Sequence, residues 1–521
     1  MNIKMKYISF GVVLFMLLLH TACDDFLDVM PDRRTQLDTD EKITQLLVSA
    51  YSNRLFAYTA ETSSDNTDWR ENGLTSMSDE HENLFHWRDV TNRVGNDGPE
   101  YFWENAYLAI ASANHAIQAI EEQGSPERLN PQMGEALLCR AYHHFILVNV
   151  FAKHYTKTNG DSDLGIAYAD KPETTVNPVY ERIPVAEVYQ KIEADLEKGL
   201  ELIDDNIYIA PKYHFNRKAA YAFAARFYLF YQKYDKVIEC ANEVLGDRPD
   251  RVLRNAQEFT TLPSAAQTRA QYYAKASHNA NLLITAAMSQ SCAIFGNYST
   301  GKKYLHSRKI AVTESTQCAG PWGIYTATLY YNAPGSYGSG YVFTPKMPYY
   351  FEYTDAVARI GYTHTMYVAF STNETLLCRA EAYILKQQYD KAVDDLNLWL
   401  RATTSSQIDL TSELIDEFYG KLEYYRPDDP TPKKELHPDF PIVSSLQENM
   451  LHCMLHIRRI ETIHEGLRWF DVKRYGIEIY RRHLDENEDV EVIDKLPVND
   501  PRRAIQLPAP VISAGMKPNP R

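Results

Sequence analysis

The sequence lacks any apolar run long enough to cross a membrane. Its longest apolar stretch, residues 8–19, has 12 residues, whereas a transmembrane helix needs about 20. Charged residues make up 24% of the chain, an ordinary globular share, which excludes wholesale disorder and collagen-like structure. With 521 residues, 45% of them hydrophobic, the chain is long enough to bury a large core.

Long runs of basic residues are also missing. The chain has 54 Lys and Arg against 69 Asp and Glu, a formal charge of −15. A nucleic-acid-binding face needs clustered positive charge, so this balance argues against a nucleic-acid partner. Among the aromatic residues, 37 Tyr stand beside 20 Phe. Tyrosine combines an apolar ring with a polar tip, which suits wet recognition surfaces as well as cores.

Signatures of catalysis and of metal binding are scarce. The sequence contains neither H-E-x-x-H nor G-x-S-x-G, and we predict a protein without enzymatic activity or cofactor. His452 and His456 lie four residues apart on a predicted helix, but no third ligand has suitable spacing, so we predict a packing role. The charged stretch from Arg458 to Asp471 is interpreted as a buried structural network rather than as a catalytic cluster.

The first 23 residues predict export and a lipid anchor. Lys4 and Lys6 precede the apolar stretch, and Thr21-Ala22-Cys23 resembles the end of a bacterial lipobox. We predict that residues 1–22 are a cleaved signal peptide and that Cys23 is lipidated, carrying diacylglycerol and palmitate. Plain secretion or a retained helix are the alternatives, because His20 occupies the position where the lipobox prefers leucine.

Six further cysteines follow, and none forms C-x-x-C. Most lie in helical patterns, where a buried free thiol is the expected state. A disulfide between Cys292 and Cys318 stays open, since an exported protein meets an oxidising compartment.

Repeated helical patterns predict the fold. Residues 225–237 match residues 380–392 at an offset of 155, and residues 135–141 match residues 374–380. A small residue followed by an aromatic, with a second amphipathic helix behind, is typical of the tetratricopeptide repeat (TPR). We predict a mostly α fold of about four TPR-like helix pairs in a superhelical scaffold, with a loop-rich irregular portion and few short strands.

The texture changes in the middle of the chain. Glycines and prolines break residues 246–353, with a strand-like run at residues 282–287. We therefore divide the mature chain into an N-terminal helical region, residues 23–245, and a C-terminal region, residues 246–521. The loop-rich insertion at residues 246–353 opens the second region, and further helices follow it.

Several motifs together resemble one known family. The start C-D-D-F-L-D-V-M-P at residues 23–31 resembles the mature N-terminus of SusD/RagB-type lipoproteins of Bacteroidetes. The helix beginning at Trp103, the C-R-A segment at Cys139, the stretch R-R-I-E … E-G-L-R-W-F-D from Arg458 and the sequence L-P-A-P from Leu507 match further family elements in the family's order. The usual Q-N-P-G-Y ending is replaced by P-N-P-R.

The resemblance implies a function and a partner. Proteins of this family bind nutrients at the cell surface and pass them to a SusC-like TonB-dependent transporter in the outer membrane. The expected ligand is an oligosaccharide, and the acidic residues after Cys23 favour a surface-exposed, lipid-anchored location. Two alternatives stay open: capture of peptides by the same architecture, and a TPR scaffold that binds only protein.

Candidate ligand residues lie in two loop stretches. Sugars offer flat apolar faces beside hydroxyl groups, so their sites need aromatic rings flanked by polar side chains. The resemblance places the pocket where early loops meet the later inserted loops. The candidates in the late stretch are Trp322, Tyr325 and Tyr337, and those in the early stretch are Asp65, Trp69, Arg70 and Trp87. Trp322 is the first choice, because a tryptophan between small turn residues is expected to be hard to bury; Trp69 is second, with Arg70 as its polar neighbour.

Overall fold

A computed structural model gives the architecture. It describes residues 37–71, 78–91, 96–173, 180–296, 303–323, 340 and 342–521. Cys23, Tyr325 and Tyr337 lie outside these residues. Among the described residues, no helix combines the length and the apolar character needed to span a membrane.

Helices dominate the fold, as predicted. In chain order they are α1 Asp40–Leu47, α2 Ala57–Ser63, α3 Asp79–Phe85, α4 Pro99–Glu122, α5 Asn130–Phe151, α6 Val185–Leu202, α7 Arg217–Phe230, α8 Tyr234–Leu245, α9 Ala266–Tyr273, α10 Ser291–Ile294, α11 Arg308–Glu314, α12 Thr372–Leu385, α13 Tyr389–Thr403, α14 Ser412–Lys421, α15 Ser445–Glu461, α16 Leu467–Arg474 and α17 Ala509–Ser513. Side-chain caps begin several of them; Asn216 accepts from the Ala219 amide at α7, and Ser371 accepts from the Glu374 amide at α12.

The predicted helix pairs are confirmed. Pairs form from α5 and α6, α7 and α8, α12 and α13, and α14 and α15, with α4 packed on α5 and α8 packed on α12. Ala225 and Ala380, the small residues with which the two matching segments begin, are both completely buried. Small side chains at these positions let the helices approach closely, so the repeats share one continuous hydrophobic core.

Two small sheets accompany the helices. The strands are β1 Asp68–Arg70, β2 Asn281–Met288, β3 Tyr304–Leu305, β4 Tyr350–Asp355, β5 Ile360–Ser371, β6 Ile479–Leu484 and β7 Val490–Leu496. One sheet has the order β2-β5-β4, and its first strand confirms the strand-like run at residues 282–287. The other has the order β3-β1-β6-β7, in which β1 pairs antiparallel with β3 and parallel with β6. The second sheet thus joins residues that are hundreds of positions apart in the chain.

The cysteine question is answered for the described residues. Cys292 and Cys318 are both free and buried, so the disulfide that the sequence left open is not formed. Burial raises the pKa of each thiol to about 12. The boundary that we predict between residues 245 and 246 falls directly after α8 and remains a prediction.

Candidate functional site

Trp322 lies in the core, and the expectation that it would be hard to bury is wrong. Its side chain is 1% exposed and packs against Trp399 and His456, with ring centroids 6.4 Å and 5.0 Å away. The neighbouring glycine explains this. A Cβ on Gly320 would lie 2.4 Å from the indole, so the missing side chain lets the ring fold back over its own turn. Small turn residues here admit the ring to the interior rather than push it outward.

Trp87 is also interior. It is 3% exposed, its indole N–H donates to the Ser63 carbonyl at 2.9 Å, and the guanidinium carbons of Arg481 and Arg502 lie 4.0 Å and 5.5 Å from its ring. Two cations near one indole stabilise it by cation–π attraction. Trp87 therefore holds the early segment against β6 and presents no free ring face to solvent.

Asp65 belongs to a buried ionic network. Arg468 donates to both of its carboxylate oxygens at 2.8 Å and 2.9 Å, and Lys434 donates at 2.8 Å. Burial alone would raise the pKa of Asp65, but the charges of Arg459, Arg468 and Lys434 hold it well below its usual range. These contacts engage both carboxylate oxygens inside the protein, so Asp65 is not available to bind a ligand.

The same network accounts for the charged motif near Arg458. Its acids are Asp65, Asp68 and Glu314, and its cations are Arg459, Arg468, Arg482 and Lys434, all of them buried. Beside it, Arg458 and Arg474 both pair with Glu381, at 2.6 Å and 2.9 Å. The stretch from Arg458 to Asp471 is thus a buried network that ties α15 and α16 to the rest of the fold, as we predicted.

His456 and His452 sit inside the fold as well. His456 is within 3.0 Å of the Tyr419 hydroxyl through Nδ1 and within 3.3 Å of the Ser315 carbonyl through Nε2. His452 lies 3.7 Å from Glu448. Within the part of the chain that the structure describes, no group of three His, Cys, Asp or Glu residues is placed to hold a metal ion.

Trp69 lies on β1, between β3 and β6, where early and late segments of the chain meet, and we call this place the polar edge. In the four-stranded sheet it is directly opposite Tyr304 of β3 and His483 of β6. The His483 ring lies 4.2 Å from the indole centroid, and the Lys303 ammonium lies 4.3 Å from it. Trp69 and His483 are both partly exposed. Early and late segments thus meet here, because β1 pairs with β3 and with β6.

Arg70 is not the polar neighbour of Trp69. Successive side chains of a strand point to opposite faces, so Arg70 leaves β1 on the other side. Its Nη1 lies 3.6 Å from Glu488, and a Cβ on Gly340 would lie 0.8 Å from that same nitrogen. Gly340 has φ +143, a conformation that favours glycine, and the absent side chain makes room for the guanidinium.

Polar atoms at this edge are left without hydrogen bonds. Trp69 Nε1, Arg70 Nη1 and His483 Nε2 are buried and have no hydrogen-bond partner in the structure as described. Buried donors and acceptors normally find partners, so unpaired ones call for an explanation, and a bound ligand or water is one. Three partly or fully exposed carboxylates surround them: Glu71, Glu488 and Glu491. Trp69, His483, Glu71 and Glu491 therefore place donors and acceptors around one aromatic ring, whereas Arg70 and Glu488 lie on the other face of β1.

Lys303 and His483 were missed from the sequence. Neither lies in a motif, and each reaches Trp69 only because β3 and β6 flank β1. Among the described residues between positions 322 and 353, the most exposed aromatic rings are Phe351 and Tyr353 on the β4–β5 hairpin, 39% and 56% exposed. Their ring centroids are 4.9 Å apart.

Comparison with known proteins supports the motif-based resemblance. Residues 25–229 match a family model described as "Starch-binding associating with outer membrane", and residues 288–495 match the model of the SusD family. A curated relative, SusD-like protein P2 of Formosa agariphila, is 29% identical over 170 residues, which is 32% of this chain and 31% of that protein. The matched segment thus spans about a third of that relative's length.

Solved structures share the architecture. A SusD superfamily protein from Bacteroides thetaiotaomicron superposes with a TM-score of 0.62 at 17% identity, covering 92% of this chain and 98% of that one. A SusD-like carbohydrate binding protein from Bacteroides vulgatus gives a TM-score of 0.60 at 14% identity, covering 91% and 96%. At these identities the likeness concerns the fold, whereas the two family models match most of the sequence. The chain belongs to the SusD/RagB family.

Proposed function

We propose that this protein is a cell-surface lipoprotein that captures an oligosaccharide and passes it to a SusC-like TonB-dependent transporter of the outer membrane. Family membership supports the general role, and the first family model is described as starch-binding and outer-membrane associated. One similar structure is named a carbohydrate binding protein. The ligand class, the lipid anchor and the transporter partner go beyond these findings and are what we propose.

The observation that carries the ligand class is the polar edge around Trp69. A sugar hydroxyl both donates and accepts hydrogen bonds, so it can satisfy an unpaired indole N–H and a nearby carboxylate at once. Trp69 Nε1 and His483 Nε2 supply unpaired nitrogen sites, and Glu71 and Glu491 supply acceptors next to His483. The mixture of charges favours a neutral polyhydroxylated ligand over a strongly anionic one.

The proposed ligand residues follow from this placement. Trp69 is the central ring. Arg70 points to the other face of β1, where it lies near Glu488, so we do not assign it to the face of this ring. Tyr325 and Tyr337, outside the described residues, keep their proposed role as platforms in the late stretch. The interior positions of Trp322, Trp87 and Asp65 argue against direct contact with a ligand, so we assign these three to the scaffold.

Binding to a defined set of ligands tests the proposal. The soluble mature chain is titrated calorimetrically against neutral oligosaccharides, including starch fragments, and against peptide pools. We expect binding to one glycan class, weakened at least tenfold by Trp69→Ala, because stacking rings act as hot spots. Tyr213→Ala removes a ring that is 42% exposed on a separate element and serves as the control. Binding to peptides alone would contradict a glycan ligand and support peptide capture. Binding to none of these ligands would support a scaffold that binds only protein.

The anchor has its own test. Attachment through Cys23 with more than one acyl chain gives stable membrane binding, whereas a single chain gives only marginal binding. We expect Cys23→Ala to abolish labelling by radioactive palmitate and to release the protein or stall its precursor. Cys240→Ala, which changes a buried helical thiol, should leave labelling intact. Unchanged membrane retention of Cys23→Ala would contradict the anchor.

The transporter is tested by co-purification. A SusC-like transporter should be recovered with the tagged wild-type protein from native outer membranes. Ala380→Trp overpacks the contact between helix pairs and should weaken that recovery. Recovery that is unchanged in a variant with clearly lowered thermal stability would separate the repeats from the transporter contact.

A further inference from the structure

A groove runs across the first helix pair, far along the chain from the polar edge. It has a volume of about 770 Å³ and lies over α5, between α4 and α6. Its lining combines an apolar floor with a polar rim. The apolar side chains are Ile117, Ile120, Met133, Leu137 and Leu202, and the charged ones include Glu121, Lys171 and Lys198. This size and composition suit a short peptide segment with apolar side chains.

The described chain begins close to the mouth of this groove. The Gln123 amide donates to the Leu37 carbonyl at 3.3 Å, and Arg128 pairs with Asp40 at 3.0 Å. Ser125, which lies between these two partners in sequence, lines the groove. The chain that precedes Leu37 therefore starts within one short loop of the opening.

We propose that residues 24–36 of the same chain dock into this groove. The segment reads D-D-F-L-D-V-M-P-D-R-R-T-Q, with four apolar side chains in five residues from Phe26 to Met30. These match the apolar floor in kind.

Charge gives the direction. Glu121 lies near the mouth, and in the proposed docking it would face Arg33 and Arg34, the first charged residues that the chain reaches before Leu37. Lys171 lies at the far end, beside Asn114, and would face the acidic residues around Phe26. Opposite charges thus face each other at both ends when the segment runs from Leu37 inward.

The reach is sufficient. Along α4 the groove extends from Asn114 to Glu121, roughly 10 Å at 1.5 Å per residue, and it continues to Ser125 beyond the end of the helix. An extended chain of this length spans about 40 Å, at about 3.3 Å per residue. The segment can therefore cross the loop, fill the groove and still end at its far side. If Cys23 is lipidated, docking would hold the acyl chains beside the first helix pair, a consequence that rests on the proposed function, whereas the docking does not.

A peptide competition tests the docking. The probe is a synthetic peptide of residues 24–36, titrated into soluble mature chains carrying Cys23→Ser. One chain has the intact segment, and the other also carries Phe26→Ser and Leu27→Ser, which should open the groove. A tethered segment has a local concentration in the millimolar range, so the intact chain should bind the peptide at least tenfold more weakly than the opened chain.

Controls locate the binding site. Leu202→Glu, on the groove wall, should abolish peptide binding when added to the opened chain. Lys198→Glu, on the rim, should weaken peptide binding and serves as the second variant if Leu202→Glu alters folding. Leu108→Ser, on a side of α4 outside the groove lining and 63% exposed, should change nothing. Thermal melting of each chain checks folding.

Each outcome decides the proposal. Tight binding to the opened chain alone, lost with Leu202→Glu, supports docking within one chain. Equal binding to both chains, or binding to neither, overturns it. Binding that survives both groove variants places the peptide elsewhere and also overturns it. If the intact chain associates into dimers that the Phe26 and Leu27 variant dissociates, the segment docks between copies, and docking within one chain is wrong.

Discussion

In two helix pairs, α5–α6 and α12–α13, a buried arginine meets one aspartate of the next helix, whereas around the four-stranded sheet several cations share several acids. Arg140 of α5 binds both oxygens of Asp195 of α6 at 2.7 Å, and Arg379 of α12 binds Asp395 of α13 at 2.9 Å and 2.7 Å. Each arginine also donates to an asparagine of another helix packed against its own, Asn114 of α4 in one pair and Asn242 of α8 in the other.

The sheet region has no such simple pairing. Glu314 contacts Lys434, Arg459 and Arg482, at 2.9, 3.1 and 2.8 Å. Although burial alone would raise it, these charges lower the pKa of Glu314 to about 2. Removing one member of the network leaves several partners uncompensated, whereas removing one member of a helix-pair contact leaves one. We therefore expect the local helix pairs to tolerate substitutions that the long-range network does not.

The network should give the largest effect. Asp65→Asn keeps the shape but removes the charge shared by Arg468 and Lys434, and we expect the free energy of unfolding to fall by about 3–5 kcal/mol. Chemical denaturation measures it. Asp416→Asn, whose carboxylate accepts from Asn449 in a partly buried contact, is the control and should cost far less. A loss below about 1 kcal/mol for Asp65→Asn would show that the network is not cooperative.

Trp322 should separate stability from binding. Because its indole is buried, Trp322→Ala creates a cavity, and we expect a loss of about 3–5 kcal/mol of unfolding free energy. Trp69→Ala, at a partly exposed position, should cost less stability but more ligand affinity. If Trp322→Ala leaves denaturation unchanged, the interior position of this ring is wrong.

Asp97 should make the stability of the protein depend on pH. Its buried carboxylate accepts hydrogen bonds from Ser289 and from the Gln290 amide, and burial raises its pKa to about 7. A raised pKa means that the folded state binds the proton more tightly than the unfolded state does. The stability contribution is therefore full below about pH 4 and is lost as the pH rises through 7.

Asp97→Asn should remove that dependence. Relative to wild type, the variant should gain stability from pH 4 to pH 8, by at most about 4 kcal/mol for a shift of about three pH units. Denaturation of both proteins at several pH values measures the difference. Asp409→Asn, at an exposed carboxylate, is the control. A constant difference across this range would contradict the raised pKa.

The helix-pair contacts should give the smallest effects and equal ones. Asp195→Asn and Asp395→Asn each remove one bidentate partner, and we expect each to lower the free energy of unfolding by about 1–3 kcal/mol, because the arginine keeps its asparagine contact. Thermal or chemical unfolding of the two single variants and the double variant checks it. Additive costs would confirm independent repeats, and a coupling energy above about 1 kcal/mol would contradict their independence.

Much of the helical fold could be predicted from the sequence. The alanine–aromatic spacing at residues 225–237 and 380–392 predicts pairs because helix contacts are local and periodic. The echo of residues 135–141 in residues 374–380 carries the arginines that brace both pairs. The motif from Arg458 to Asp471 predicted a buried network by its charge spacing, without naming its partners.

The candidate site was predicted less well, for a physical reason. The small residues beside Trp322 predicted an exposed ring. The space that a glycine leaves can, however, equally well be filled by a ring that folds back into the interior. Trp69 does lie where an early strand pairs with later ones, yet its neighbours His483 and Lys303 are hundreds of residues away in the chain. Strand pairing over such separations leaves no local signal in the sequence.

The family, the helix pairs and the positions where small residues let helices touch could be predicted from the sequence, because each depends on residues near one another in the chain. The exposure of each tryptophan, the cations that each acid shares and the polar atoms near β1 that lack hydrogen bonds follow from the assembled fold. Those outcomes depend on how β1, β3 and β6 are brought together, and burial and pairing are properties of the assembled neighbours rather than of any one segment.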